Sequence, residues 1–474
     1  MNGQNGQYDM KRVNHIHFVG IGGAGMCGIA EVLHNLGYVI SGTDLQPSAV
    51  TRQLAALGIR IGHEHKQANI NGSDVVVYSG AVSDDNPEMT AARARKIPTV
   101  PRVEMLSELM RLRQGIAIAG THGKTTTTSL IASLLAAAGL DPTYVIGGQL
   151  NSTGSNAKLG AGRFLVAEAD ESDGSFMRLS PVYAVLTNID ADHLDGYQHS
   201  MDKLRHSFAE FLQRLPFYGL AVVCLDDPAC REIIGDIHKP VVTYGVDTDA
   251  DYRAGSIRYA ADHTSFELTG NKLEQPVQIH LNMPGRHNVL NALAGIALAL
   301  ELDVGIDHIV SALKQFQGIA RRASLLGEIV LAGNTVQVVD DYAHHPTEIS
   351  AIHQAISDSQ PDKRIVVVFQ PHRYSRTRDL FEEFCAVLSP MQVLLILDIY
   401  PAGEPAISGI DSAALCDSIR VKGKVDPLHI TAKDDLVEVL GEVVSDGDVL
   451  LILGAGDIGL LGQNLIRDYG TTLH

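Results

Sequence analysis

The chain has 474 residues, of which 45% are hydrophobic and 19% are charged, and its formal net charge is −18. This length and composition predict a globular protein with two to four domains. The negative charge argues against nucleic acid as the main partner, because a phosphate backbone requires a basic surface. It does not exclude small anionic ligands, which local hydrogen-bond donors can bind.

Cysteine usage and the N-terminal segment favour a cytosolic protein. No pair of cysteines has the spacing of a metal site, which favours a reduced compartment. The five are Cys27, Cys224, Cys230, Cys385 and Cys416. The polar segment 1–12 lacks the apolar core of a signal peptide, and no apolar run is long enough to span a bilayer. The sequence therefore predicts no membrane anchor.

Residues 15 to about 112 alternate short apolar runs with helical stretches, which predicts a parallel sheet covered by helices. After the first run, "GIGGAG" matches G-x-G-x-x-G at Gly20, Gly22 and Gly25, and Asp44 ends the next run about twenty residues later. Glycines at these positions let the backbone approach a diphosphate at a helix N-terminus. An NAD-dependent oxidoreductase with an appended ATPase is therefore one interpretation of the chain.

A second glycine-rich loop follows in "IAIAGTHGKTTTTSL", residues 116–130. The pattern predicts a strand, a phosphate-binding loop and a helix. Gly123, Lys124 and Thr125 fit the Walker A motif, but Ile118 occupies the position of its first glycine. Backbone amides can still cradle phosphates, the lysine can reach β- and γ-oxygens, and the threonine can ligate Mg²⁺. A switch protein that hydrolyses ATP to change shape is a second interpretation.

Two residues further along the chain strengthen the ATP interpretation. Glu168 ends the apolar run "FLVAE", and His193 follows the run "YAVLTNI" within "DADHLD". Either residue alone would be an ordinary solvated acid or capping histidine. Together with the loop at 120–125, they predict a Mg²⁺–ATP site. A β-rich stretch from about 220 to 283 and a long helix from "PGRHNVLNALAGIALALEL" complete this block.

The last block again alternates apolar runs with helical stretches, which predicts a third α/β domain. Near its end "GAGDIG" repeats the G-x-G-x-x-G pattern at Gly454, Gly456 and Gly459. Only about fifteen residues follow, too few for another strand with an acidic residue at its end. We therefore expect a tight strand-to-helix turn there rather than a dinucleotide site.

Six motifs, in this order and at similar spacing, resemble the Mur ligase family over essentially the whole chain. They are "GTHGKTTT", "EADESD", "TNIDADHLD", "GRHNVLNA", "GIARR" and "DDYAHHPTE". The resemblance implies an α/β protein with three domains. These are a Rossmann-like UDP-substrate-binding domain (1–113), a central P-loop ATPase domain that binds ATP (114–320) and a C-terminal Rossmann-like ligase domain (321–474).

The resemblance also implies the reaction. Family members are ATP-dependent amide-bond ligases that use Mg²⁺, and "GIGGAGM", "DDYAHHP" and "QPHRYSRT" are similar to members that join L-alanine to UDP-N-acetylmuramate. We therefore expect small-molecule substrates, an acyl-phosphate intermediate, release of ADP and phosphate, and a role in peptidoglycan precursor synthesis. A family member that adds whole peptides to UDP-N-acetylmuramate is the nearest alternative.

Carried over residue by residue, the resemblance implies four groups of site residues. The ATP group is Gly120, Thr121, His122, Gly123, Lys124, Thr125, Thr126, His287, Asn288 and Asn291, the last as an adenine contact. The UDP-substrate group is Gly20, Gly22, Gly23, Gly25, Met26, Asp44, Ser79 and Arg102. The group around the lactyl carboxylate and the alanine is Tyr342, His344, His372, Arg373 and Arg376. The catalytic group is Lys124, Glu168, His193, Asn291, Arg322 (or its neighbour Arg321) and Asp341, of which Glu168 and His193, with Thr125, would hold the metal ions.

Three positions depart from the family pattern. Cys27 stands where serine is common, and Ala323 follows the arginine pair where phenylalanine is common. The lysine that is carbamylated in several relatives has no clear counterpart. The sequence also leaves two alternatives for the group that deprotonates the incoming amine, namely a histidine of "YAHHP" and Asp341.

Overall fold

A computed structural model describes residues 10, 12–23, 25–148, 150–151, 156–172 and 174–470. Most of the N-terminal segment and Asp173 of "EADESD" therefore lie outside the described residues. Within them, no helix is both long and apolar enough to cross a membrane. All five cysteines are buried as free thiols.

The described residues form two compact units. The first contains the residues up to 254 together with Leu268–Val277 and Leu290–Phe316. The second contains Gly255–Glu267, Gln278–Val289 and the residues from 317 onward. The three predicted domain ranges each contain one sheet, and the predicted boundaries between them remain predictions.

A five-stranded parallel sheet opens the first unit, as the alternating apolar runs predict, with the order β3-β2-β1-β4-β5. Its strands are His15–Val19 (β1), Val39–Thr43 (β2), Arg60–Gly62 (β3), Val75–Tyr78 (β4) and Thr99–Pro101 (β5). Its helices are Met26–Asn35 (α1), Ala49–Ala56 (α2), Pro87–Ala94 (α3) and Arg102–Arg111 (α4). Apolar side chains of β1 and α1 form the core, and Ser48 and Asn86 cap α2 and α3 with their side chains.

The second sheet has ten strands in the order β15-β14-β13-β12-β11-β10-β6-β9-β7-β8. The strands are Gln114–Ala119 (β6), Thr143–Val145 (β7), Ala157–Lys158 (β8), Phe164–Glu168 (β9), Tyr183–Leu186 (β10), Leu220–Cys224 (β11), Val241–Gly245 (β12), Tyr252–Tyr259 (β13), Thr264–Gly270 (β14) and Val277–Leu281 (β15). The helices are Lys124–Ala137 (α5), Met201–Gln213 (α6), Pro228–Ile233 (α7), Arg286–Glu301 (α8) and Ile306–Gln315 (α9). The central strands β9, β6, β10 and β11 are parallel, so their carboxyl ends share one edge.

The third sheet lies in the second unit and has the order β16-β17-β21-β18-β19-β20. Its strands are Ser324–Leu331 (β16), Asn334–Asp341 (β17), Ile365–Phe369 (β18), Val393–Leu397 (β19), Leu428–Ile430 (β20) and Val449–Leu453 (β21). Its helices are Pro346–Ser359 (α10), Tyr374–Asp379 (α11), Phe381–Leu388 (α12), Ser412–Val421 (α13), Leu436–Val443 (α14) and Gly459–Tyr469 (α15). Only β16 runs antiparallel to its neighbour.

Candidate active site

The loop predicted to bind ATP phosphates, residues 120–123, joins β6 directly to α5. Gly120 has φ 122° and Gly123 has φ 79°, backbone conformations that favour glycine. A Cβ atom on Gly120 would lie 2.2 Å from Oγ1 of Thr187, and one on Gly123 would lie 2.4 Å from Oδ1 of Asn291. Both glycines are therefore required by the fold of the loop.

Residues that follow β10 hold this loop in place. The strand ends at Leu186, earlier than the run "YAVLTNI" suggests. Thr187 and Asn188, which follow the strand, form hydrogen bonds with the neighbouring loop. The backbone carbonyl of Asn188 accepts a hydrogen bond from the amide of Thr121 (3.1 Å), and its side-chain oxygen accepts one from the amide of His122 (2.8 Å). The hydroxyl of Thr187 donates to the carbonyl of His122 at 2.7 Å. These bonds fix the backbone of the loop and occupy the amides of Thr121 and His122.

Lys124, the first residue of α5, carries the charge of the loop. Its ammonium donates to the carbonyls of Gly120 (2.7 Å) and Thr121 (3.0 Å) and to both carboxylate oxygens of Glu171 (2.8 and 3.0 Å). Burial alone would lower the pKa of Lys124, but the carboxylates of Glu171, Asp170 and Glu168 outweigh burial and raise it. The lysine is therefore a fixed positive charge beside the loop.

Glu168 lies next to the loop because β9 pairs with β6 and places it opposite Ile118. Its carboxylate accepts the amide of Gly147 at 2.7 Å. A Cβ atom on Gly147 would lie 2.9 Å from the carboxylate, so a larger residue here would require the Glu168 side chain to shift. The loop and the predicted metal-binding carboxylate thus share one edge of the sheet.

Thr125 and His193 are the other residues predicted to hold metal ions. Thr125 is the second residue of α5, and His193 has a left-handed backbone with φ 55°. The His193 amide donates to Asp192 Oδ1 at 2.9 Å, and its Nε2 lies 3.5 Å from Oδ2 of the same residue. Hydroxyl and carboxylate oxygens are ligands that suit Mg²⁺, so Thr125 and Glu168 fit this ion, while an imidazole is a less usual ligand for it.

The predicted nucleotide residues of α8 divide between the two units. Asn291 belongs to the unit of the loop, where its Oδ1 accepts from the hydroxyl of Thr127 at 3.3 Å and contacts Gly123. Asn288 and His287 belong to the other unit. There Asn288 donates to the carbonyl of Pro284 at 2.8 Å, and burial, reinforced by the charge of Arg322, lowers the pKa of His287 to about 4. An adenine contact by Asn291 stays a prediction.

The first glycine loop connects β1 to α1 and carries a left-handed backbone at Gly20 and Gly25. The amides of Gly20 and Ile21 both donate to the carbonyl of Thr43, at 2.8 and 3.0 Å. The amide of Gly22 donates to Oδ2 of Asp44 at 2.9 Å. These three amides of the loop therefore all have acceptors within the protein.

Arg102, the first residue of α4, lies beside the same loop. Its Nη1 would be 2.8 Å from a Cβ atom on Gly25, and its Nη2 lies 3.8 Å from Oδ2 of Asp170. Ser79 follows β4 and packs against Gly20. Met26, by contrast, is fully buried in the core, which leaves only its backbone to meet a ligand.

Cys27 is a packing residue in this structure. Its side chain is buried, and Sγ accepts from Nδ2 of Asn156 at 2.9 Å. Burial raises the pKa of the thiol, which keeps the thiol protonated and unreactive. This is the environment expected for a small residue at a helix start.

In the second unit, the residues predicted to surround the lactyl carboxylate and alanine lie together beyond β17 and β18. Four rings follow one another. The centroids of Tyr342 and His344 are 5.4 Å apart, those of His344 and His372 are 5.8 Å apart, and His372 stacks on Tyr400 at 5.5 Å. Burial, aided by the nearby positive charges, lowers the pKa of His372 to about 3, so it is neutral at pH 7.

Two arginines flank the row of rings. Arg376 is buried and donates to the carbonyl of His372 at 3.3 Å. Arg373 has φ 73°, a strained conformation for a non-glycine residue, and its amide donates to Tyr400 at 2.8 Å. Such strain at a forked cationic side chain is typical of a functional position.

Asp341 ends β17 with both carboxylate oxygens occupied. Oδ2 accepts the amide of Ala323 at 2.6 Å, and Oδ1 accepts the amide of Ala343 at 2.7 Å. Burial raises its pKa to about 6, although Arg322 opposes the shift. Its charge state therefore changes just below neutral pH.

Arg321 and Arg322 are neighbours in sequence but make different contacts. Both guanidinium groups lie over the ring of Tyr342, at 5.0 and 5.2 Å. Arg321 also donates to Asp340 and to the carbonyl of Gly454. A Cβ atom on Gly459 would lie 2.4 Å from its guanidinium carbon. The last glycine loop is thus a turn between β21 and α15 that packs against Arg321, and Arg322 is the better candidate for a phosphate contact.

Sequence reasoning missed several residues of these clusters. Glu171 lies within the quoted motif "EADESD", but a second buried carboxylate beside a lysine has no pattern that separates it from a solvated acid. Asn188 lies in "TNID", a segment expected to be strand. Tyr400 and Glu404 follow β19, far from any motif in the chain, and only the parallel sheet brings them near His372 and Ser375.

Three family models match the chain in succession. The "Mur ligase family, catalytic domain" matches residues 15–114, the "Mur ligase middle domain" matches 118–299, and the "Mur ligase, glutamate ligase domain" matches 321–456. Together with the parallel sheets, these matches confirm the predicted three-domain α/β fold.

Solved structures resemble the chain over most of its length. A UDP-N-acetylmuramate–alanine ligase from Thermotoga maritima is 30% identical, with a TM-score of 0.80, covering 96% of this chain and 98% of that one. A UDP-N-acetylmuramate:L-alanyl-γ-D-glutamyl-meso-diaminopimelate ligase from Neisseria meningitides is 29% identical, with a TM-score of 0.59, covering 65% and 100%. A murein peptide ligase from Psychrobacter arcticus is 24% identical, with a TM-score of 0.71, covering 97% and 100%, which shows a shared fold.

Proposed function

The chain belongs to the Mur ligase family, the ATP-dependent amide-bond ligases of peptidoglycan synthesis, and we propose that it is a UDP-N-acetylmuramate–L-alanine ligase. The observation that carries the proposal is the end-to-end similarity to the alanine ligase of Thermotoga maritima. ATP would phosphorylate the lactyl carboxylate of UDP-N-acetylmuramate. The amine of L-alanine would then displace phosphate and form the amide, leaving ADP and phosphate as the other products.

Two phosphate-binding loops in one chain suit this reaction. The loop at 120–123 would hold the phosphates of ATP, and the loop at 20–25 would hold the pyrophosphate of the UDP-sugar. The second assignment needs only backbone amides and a helix N-terminus, which do not distinguish uridine from nicotinamide. Asp44 alone would have favoured NAD, but it accepts a loop amide here. No dinucleotide is therefore required to explain it.

The residues around the ATP loop supply positioning and charge, which is most of what phosphoryl transfer requires. Lys124 would meet the β- and γ-phosphates. Thr125 and Glu168 would hold one Mg²⁺ and His193 would help to hold a second. Bound Mg²⁺ supplies neutralisation of the phosphate charge. The carboxylate of Glu168 is held towards the loop edge by Gly147 and by its register with Ile118.

The second unit would supply the acceptor side. Arg373 and Arg376 offer forked donors that suit carboxylates, and Arg322 would reach the transferred phosphoryl group. His372 is neutral at pH 7, so one of its ring nitrogens would accept a hydrogen bond and the ring would contribute no positive charge. Asp341 titrates near pH 6 and so suits the removal of a proton from the incoming amine better than His372 does.

A second candidate lies within the same family. The peptide-adding ligase of Neisseria meningitides is 29% identical to this chain, almost the same value as the alanine ligase. It joins the same sugar nucleotide to a tripeptide rather than to alanine. The amine donor is therefore the point on which the two candidates differ.

An ADP-release assay with UDP-N-acetylmuramate and Mg²⁺–ATP separates the candidates. L-alanine, glycine, L-serine and L-alanyl-γ-D-glutamyl-meso-diaminopimelate would be supplied one at a time. We expect ADP and phosphate to form fastest with L-alanine. Turnover with the tripeptide alone would favour the second candidate, and AMP with pyrophosphate as products would exclude both.

A further inference from the structure

Lys124 is held by a carboxylate that the proposed reaction does not yet use. The ammonium has three N–H groups and four acceptors, two of them loop carbonyls and two of them the oxygens of Glu171. The Glu171 side chain is 1% exposed, and that of Lys124 is 15% exposed. The carboxylate therefore contacts the ammonium from the buried side of the lysine.

Glu171 is itself fixed by the segment that carries His193. Its backbone carbonyl accepts the hydroxyl of Tyr197 at 2.6 Å and the amide of Gly174 at 2.9 Å. Tyr197 is buried and lies four residues beyond His193. The backbone of the residue that holds the lysine is thus bonded to the segment that carries His193.

The charges around Glu171 make Lys124 its necessary partner. Burial raises the pKa of Glu171, the neighbouring carboxylate of Asp170 adds to this effect, and Lys124 opposes both. A buried carboxylate that loses its cation is strongly disfavoured. The loop carbonyls are neutral acceptors and are easier to give up. An arriving phosphate would therefore replace the carbonyls of Gly120 and Thr121 before it replaced Glu171.

We propose that Glu171 is a positioning residue for Lys124. It keeps the ammonium at the mouth of the 120–123 loop, so that nucleotide binding exchanges only the two carbonyl contacts for phosphate contacts. The inference rests on the proposed function in one respect, namely that this loop binds ATP. It extends that function by giving the lysine a fixed direction during phosphoryl transfer.

Three variants test the proposal in full-length protein. Glu171→Gln keeps the shape but removes the charge, and Glu171→Asp keeps the charge. Glu301→Gln is the matched control, because Glu301 pairs with Lys272 at 3.5 Å and accepts from Tyr252 at 2.6 Å. It lies about 15 Å along α8 from Asn291.

We expect Glu171→Gln to lower kcat by about 10- to 100-fold, the loss typical of a misplaced catalytic group. The KM for UDP-N-acetylmuramate should not change, and Glu171→Asp should recover most of the loss. Glu301→Gln should keep the wild-type kcat. A Glu171→Gln variant with wild-type kcat and KM for ATP would overturn the positioning role. A wild-type protein that does not bind ATP would instead overturn the proposed function.

A second measurement does not depend on the folding of any variant. A crystal structure of the wild-type protein with ADP or a non-hydrolysable ATP analogue should show Nζ of Lys124 bonded to Glu171 and to a phosphate oxygen at once. A structure in which the ammonium has left Glu171 to reach the phosphate would overturn the inference.

Discussion

Replacing Glu88 by glutamine should loosen the sheet that carries the first glycine loop. Glu88 lies in the first turn of α3 with a fully buried side chain. Its Oε2 accepts the hydroxyl of Thr43 at 2.7 Å and lies 3.1 Å from Nδ1 of His65, and Asn69 donates to Oε1. The carbonyl of Thr43 in turn accepts the amides of Gly20 and Ile21, so the buried carboxylate supports the loop through the end of β2.

The size of the effect follows from the pKa of Glu88. Burial alone would raise this pKa, but the imidazole of His17 at 3.8 Å and hydrogen bonds from Asn69 and Thr43 outweigh burial and lower it from 4.5 to about 2. At about 1.36 kcal/mol per pKa unit, the ionised carboxylate contributes about 3 kcal/mol. Because the folded pKa is depressed, this contribution is complete above pH 4.5 and disappears as the pH falls towards 2.

Amide hydrogen exchange followed by mass spectrometry measures the local effect without assuming two-state unfolding of a multidomain chain. Peptides spanning β1 and β2 should exchange up to about 100-fold faster in Glu88→Gln at pH 7, and the KM for UDP-N-acetylmuramate should rise. Glu64→Gln is the control, since Glu64 is exposed and pairs only with Lys66 at the surface. Unchanged protection of β1 and β2 in Glu88→Gln would refute the reasoning.

Three further predictions concern the two loops and the second unit. Lys124→Ala should abolish turnover while UDP-N-acetylmuramate still binds in a calorimetric titration. If the variant lost both turnover and UDP-N-acetylmuramate binding, the two loops would not serve separate ligands. Gly22→Val should weaken binding of the UDP-substrate and leave ATP binding unchanged, because a Cβ atom there would lie 2.8 Å from Asp44. Gly235→Val is the control, since no atom lies within 4 Å of a Cβ atom at that position. In a pH–rate profile, wild-type kcat/KM should fall below about pH 6 as Asp341 takes up a proton. Asp341→Asn should be slow at every pH, and an unchanged acid limb in it would assign that limb to another group.

Much of the fold could be predicted because each block alternates apolar runs with helical stretches, a pattern typical of parallel sheets. The strands β1, β6, β9 and β21 all appear in the sequence as apolar runs that stop at glycine or a carboxylate. The sequence predicts the end of β10 too late, because the apolar Ile189 follows Thr187 and Asn188 and the whole segment "YAVLTNI" is predicted as a strand. There Thr187 and Asn188 donate hydrogen bonds to the loop at 120–123 in place of the strand hydrogen bonds of the sheet.

The site residues divide in the same way. Glu168 ends one predicted strand and Lys124 follows the loop at the end of another, which places them at one sheet edge, and the register of Ile118 with Glu168 agrees. Glu171, Tyr400 and Glu404 could not be found, because their importance comes from partners that are distant in sequence. The bidentate contact of Glu171 with Lys124 spans 47 residues, and the hydrogen bond from Ser375 to Glu404 spans 29.

The two G-x-G-x-x-G loops show why a pattern needs its surroundings. Both join a strand to a helix, and both begin with a glycine in a backbone conformation that other residues avoid. At the first loop, the amide of Gly22 donates to the carboxylate of Asp44. At the last loop, a guanidinium takes up the carbonyls of Gly454 and Gly456 and packs against Gly459. A carboxylate therefore lies against the backbone of the first loop and a guanidinium against that of the last, so the same six-residue pattern has opposite charges beside it at the two ends of the chain.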